Sequence, residues 1–158
     1  MKDVEIMGGI GLLIGLANSV MIKIPETKVE LIQIYKKYES DDVPWQLLRA
    51  VAIVESSENY LAFNPNDPSY GLMQILWTGN NRLNVDGWPP PDLGALYDPE
   101  YNVRIGSQIL AWNIAKYGWF RGIIVYNNWS ARKGKIPLTS IKYYGKVYST
   151  YLRLKSEF

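Results

Sequence analysis

Neither cysteine nor histidine occurs anywhere in the 158 residues. Without thiols there is no disulfide framework and no thiolate nucleophile, and cysteine usage gives no reading of redox compartment. Without imidazole, the Ser-His-Asp triad, the usual zinc sites and any histidine base drop out together. No carboxylates fall at calcium-loop spacing and no glycine-rich nucleotide fingerprint occurs, so the pattern implies neither a metal nor a cofactor. Acid–base chemistry is left to Asp, Glu, Tyr or Lys. Convincing runs of alternating strand residues are also missing.

What remains is the composition of a folded domain: 47% hydrophobic and 20% charged residues in a chain long enough for one real core. The net charge of +2 is unevenly spread. Residues 1–128 hold 10 Lys/Arg against 14 Asp/Glu, a balance of −4, while residues 129–158 hold 7 against 1, a balance of +6. Such a basic end suits an anionic polymer, or is simply a solvated helix face with a basic loop.

The division expected is an apolar N-terminal segment over 1–24 and a folded domain over 25–158. Within the first, residues 6–22 form an uncharged run of 17. As a helix it would be about 25 Å long, the lower limit for a bilayer. Gly11 and Gly15 make a pair that suits close helix approach in a membrane. Membrane or virion association through 6–22, a helix packed on the domain, and a cleaved export signal all fit this run. The signal reading is the poorest, because Asp3 and Glu5 outweigh Lys2.

From Pro25 onward the chain reads as mainly α, with any sheet confined to 57–96. Thr27 and Glu30 form a capping box. Asp41-Asp42-Val43-Pro44 starts a helix continued by WQLLRAVAIVE. Asp98-Pro99 opens a third, ended by Gly118. A short helix comes next over 119–128. The last begins near Thr139, with Ile141, Tyr144, Tyr148, Tyr151 and Leu152 as its apolar side. The Gly/Asn/Pro-rich stretch from Thr78 to Leu96 is long enough to suggest function.

Glu55 stands out on the second helix. Leu48, Val51, Ala52 and Glu55 share one face by their i, i+3, i+4, i+7 spacing. A carboxylate in apolar company is costly to ionise, so its pKa rises towards neutrality, as a general acid requires. Solvation at the core edge, or pairing with Arg49 or Lys116, is the plainer alternative.

The order of motifs then resembles the catalytic domain of the soluble lytic transglycosylases and, more distantly, goose-type lysozyme. The helix ends in Glu55-Ser56, Gly71-Leu72-Met73-Gln74-Ile75 is next, and Val125-Tyr126-Asn127 comes later. Asp98-Pro99-Glu100-Tyr101-Asn102-Val103, Trp112, Tyr117-Gly118 and Tyr143 fall in the family's order over roughly 43–150. Two departures stand out. Asn127-Asn128-Trp129 replaces an Asn-Ala-Gly turn, and the loop over 64–70 is short.

The resemblance implies a lysozyme-like single domain with little or no sheet, acting in the bacterial envelope on peptidoglycan glycan strands. Glu55 would be the acid that cleaves the bond between N-acetylmuramic acid and N-acetylglucosamine. Ser56 and Gln74 would hydrogen-bond sugar or acid, Tyr126 would orient Glu55, and Met73 and Asn127 would shape a sugar subsite. Tyr143 matches the family's late tyrosine. Ordinary glycosidases need a second carboxylate about 5 Å or about 6.5–9.5 Å from the first. Glu58, Asp67 and Asp86 are the candidates, and none is compelled. A true muramidase, a non-catalytic wall-binding module and a nucleic-acid binder are rival readings. The last has no groove-reading or stacking motif behind it, so no nucleic-acid partner is expected.

Overall fold

The computed structural model describes residues 25, 27–77 and 84–158. The apolar run at 6–22 and part of the loop at 78–83 lie outside the described residues.

Thr27 opens α1 (Lys28–Lys37), its hydroxyl accepting the Glu30 N–H at 3.2 Å. Pro44 then fixes the entry to α2 (Trp45–Ser56). This helix is the hub of the core: Leu47, Leu48, Ala50, Val51 and Ala52 are all fully buried. α1 and α5 (Leu138–Glu157) pack against it. Asp98 caps α3 (Pro99–Tyr117), accepting the N–H groups of Glu100 at 2.8 Å and Tyr101 at 3.1 Å. Gly118 turns the chain into α4 (Trp119–Asn127), which lies against both α3 and α5.

Among the described residues, sheet is confined to β1 (Phe63–Asn64), β2 (Ser69–Tyr70) and β3 (Ile75–Leu76). They are antiparallel in the order β1-β2-β3, with Phe63 opposite Tyr70 and Tyr70 opposite Ile75. The mainly helical, single-domain, lysozyme-like architecture expected from the sequence is what the chain adopts. Among the described residues, no helix is long and apolar enough to cross a membrane.

The apolar side read on α5 faces inward only in part: Tyr144 and Tyr151 are half-buried against the core, while Ile141, Tyr148 and Leu152 are 43%, 39% and 48% exposed. Ser140, Val147 and Leu154 are buried instead, with Tyr143 half-buried beside them. Both lines recur at helical spacing, but the inward one includes a serine and a tyrosine whose polar ends find partners. Hydropathy therefore ranks it second.

Candidate active site

Glu55 occupies the last turn of α2, which packs against α5, and the end of α4 reaches its carboxyl through Asn127. The Tyr143 hydroxyl donates to Glu55 Oε1 at 2.6 Å. Asn127 Nδ2 stands 3.5 Å from the same oxygen. The carboxyl pKa is raised, first by burial; the donors Tyr143 and Asn127 oppose this by favouring the ionised form. The partial negative charge at the C-terminal end of α2 acts in the same direction as burial. Burial and the charge of Glu55 in turn push the phenols of Tyr143 and Tyr126 well above the usual tyrosine range.

The cations that the sequence offered as partners are engaged elsewhere. Arg49 makes a two-pronged bond to Glu58, with Nε at 3.0 Å and Nη2 at 3.2 Å from its two oxygens. Lys116 lies 4.5 Å above the Trp112 ring. Among the described residues, burial of Glu55 is thus not offset by any positive charge. The result is an acid that keeps its proton to higher pH and has a fixed phenol as its neighbour.

The segment over 71–75 is clamped beside this acid by groups from three helices. Asn102, fully buried on α3, accepts the Met73 N–H at 2.8 Å and donates to the Tyr70 and Leu96 carbonyls, each at 2.8 Å. Tyr126 on α4 donates to the Met73 carbonyl at 2.8 Å. Ser56 on α2 donates to the Leu72 carbonyl at 2.8 Å, with the Ala52 carbonyl at 3.0 Å. Gly71 adopts φ +74, and a Cβ there would strike the Asn102 amide and the Leu96 carbonyl, so only glycine fits.

This arrangement changes several roles implied by the resemblance. Tyr126 does not hydrogen-bond Glu55, since its hydroxyl goes to a backbone carbonyl; Tyr143 orients the acid. Ser56 has its donor committed to backbone oxygen. Gln74 donates to Gly71 O at 3.0 Å and Ala62 O at 3.2 Å, and accepts from Ser69 at 3.1 Å, so it ties the turn between β2 and β3. The Met73 side chain is fully buried against Gly106 and lines the core. Asn127 remains exposed at the carboxylate.

In the sequence, Asn102 shows only as part of a helix-start motif. The signal that could have found it is an amide inside a helix, where asparagine is a poor former unless its side chain has work to do.

A helical, lysozyme-like domain that desolvates one carboxyl group beside a tyrosine is the class of protein these features define. The chain belongs to the transglycosylase SLT domain family, whose model matches residues 32–138. Domains of this family act on peptidoglycan glycan strands as lytic transglycosylases. Protein IpgF of Shigella sonnei is 30% identical over 126 residues, spanning 77% of this chain and 80% of that protein.

Proposed function

We propose that the chain cleaves the β-1,4 bond between N-acetylmuramic acid and N-acetylglucosamine without consuming water, with Glu55 as its single acid and base. Glu55 gives its proton to the glycosidic oxygen as the C1–O bond breaks. The resulting carboxylate takes the proton of the muramic acid 6-hydroxyl as O6 bonds to C1. The products are a free N-acetylglucosamine 4-hydroxyl and a 1,6-anhydro-muramic acid end, and Glu55 is again protonated. Tyr143 fixes the carboxyl, and Asn127 offers an amide to the sugar beside it.

The observation that carries this reading is the desolvated Glu55 with no second carboxylate acting on its titration among the described residues. Glu58 is neutralised by Arg49 with both side chains largely buried, at 11% and 16% exposed for Arg49 and Glu58. Asp67 is exposed in its turn, and the Asp86 side chain is 90% exposed. None of the three is a buried, unpaired carboxylate, which supports the single-acid reading.

The test is digestion of purified murein sacculi by the wild type and by Glu55→Gln, with products read by mass spectrometry. Anhydro ends from the wild type and a loss of at least about a hundred-fold in the variant are expected. Hydrated reducing ends alone would make the enzyme a muramidase. Clearing unchanged by Glu55→Gln would leave a wall-binding module.

A further inference from the structure

The outer face of α5 takes no part in the reaction described. Leu138, Ile141, Gly145, Tyr148 and Leu152 recur at i, i+3, i+7, i+10 and i+14, a spacing that keeps them on one line of a helix. Leu138 is 66% exposed, and its large line-mates Ile141, Tyr148 and Leu152 are exposed with it. The line broadens into an aromatic ladder. Phe120 of α4 meets Tyr144 at 4.7 Å, and Tyr144 stacks on Tyr148 at 5.5 Å with their planes 11° apart. A continuous apolar face of this kind, spanning two helices, usually has a partner.

Cations border it on both sides. At 100° per residue, Lys155 lies on the Tyr144 side, its Nζ 5.6 Å from the Tyr151 ring centre. Lys142 and Lys146 lie on the other side, exposed and in no ion pair among the described residues. A second copy paired through its own α5 is a poor occupant, because α5 has no acidic residue before Glu157 and would set lysine against lysine. A sugar strand is poorly served as well, since Tyr144 and Tyr148 turn their ring faces to each other. Tyr144 is half-buried with a hydrogen bond to Trp119, which leaves Tyr148 outward beside bare aliphatic side chains and unpaired lysines. That is the composition of a helix lying in a lipid headgroup layer.

We propose that the outer face of α5 docks on an anionic lipid surface. The line from Leu138 to Leu152 enters the headgroup boundary, and Lys142, Lys146 and Lys155 meet the phosphates. The same helix turns Tyr143 inward to Glu55, so lipid contact leaves the acid uncovered. The proposal does not depend on the chemistry of Glu55.

The experiment is co-sedimentation of the full chain with vesicles of phosphatidylglycerol and phosphatidylcholine, against phosphatidylcholine alone. Two variants are compared with the wild type: Ile141→Ser with Leu152→Ser, and Lys142→Gln with Lys146→Gln. All the altered residues are exposed, so both variants should keep the wild-type melting temperature. The wild type is expected to partition onto the anionic vesicles. The lysine variant should bind about 30-fold more weakly, at about 1 kcal/mol for each lysine near the surface. The apolar variant should lose about ten-fold. The proposal falls if the variants match the wild type, including the case in which residues 6–22 alone hold the chain to vesicles. Equal binding to neutral vesicles overturns it too. So does a defect seen on sacculi but not on vesicles, or a wild-type dimer that the variants abolish.

Discussion

Glu55 and Tyr143 form a pair in which burial and hydrogen bonding pull one carboxyl in opposite directions, and burial wins. Tyr143→Phe removes the donor that favours the ionised form. The pKa of Glu55 then climbs further, and the descending limb of the pH profile of kcat/KM moves to higher pH. Activity at the plateau should fall on the order of ten-fold as the carboxyl loses its orientation. A limb that stays in place would remove Tyr143 from the control of this acid. The raised pKa also costs the fold something. A carboxyl whose folded pKa exceeds its unfolded one binds more protons when folded, so stability drops as pH rises through that interval. Glu55→Gln has no charge to desolvate. By calorimetry it should melt above the wild type at pH 7, by about 2–4 °C for each kcal/mol recovered. The difference should close as the pH falls below the ordinary carboxylate range. The acid was legible from its apolar face-mates; its phenol partner, 88 positions away, was visible only through family resemblance.

The end of α2 shows how an element holds its most important residue in place. Ser57 and Glu58 both take left-handed backbone, with φ 57 and 59, although neither is glycine. Each such residue costs on the order of 1–2 kcal/mol. The Arg49–Glu58 pair anchors the turn directly after Glu55. Glu58→Ala strands the Arg49 guanidinium in a largely buried site, a loss of about 3–5 kcal/mol. A drop in melting temperature on the order of 10 °C is expected. A drop under about 2 °C would show that Arg49 reaches water easily. Nothing in the sequence revealed this pair, because two charges nine residues apart across a helix end obey no periodic rule. The caps at Thr27 and Asp98 were legible because they are local, a side chain and an amide two or three residues away. The strands were not, since two-residue strands are too short to alternate.

For the whole molecule, the order of motifs foretold the fold, and the fold brings Glu55, the 71–75 segment, Asn127 and Tyr143 into one neighbourhood. What the motifs did not foretell is how the polar side chains would be spent. Ser56 and Gln74 read as groups for sugar or acid and Tyr126 as the group that orients Glu55, yet each meets a backbone carbonyl, a partner that has no side-chain identity in a sequence. The backbone of Met73 bears the consequence. Its amide hydrogen is held by Asn102 of α3 and its carbonyl by Tyr126 of α4, while the neighbouring Leu72 carbonyl is held by Ser56 of α2. Releasing that amide means parting the helices, not loosening a turn. In deuterated solvent it should exchange as slowly as the amides at the centre of α2, with a protection equal to the global unfolding free energy. Residue-resolved exchange measures this directly. Rapid labelling at Met73 would mean that the turn beside the acid opens by itself while the helical scaffold stays shut.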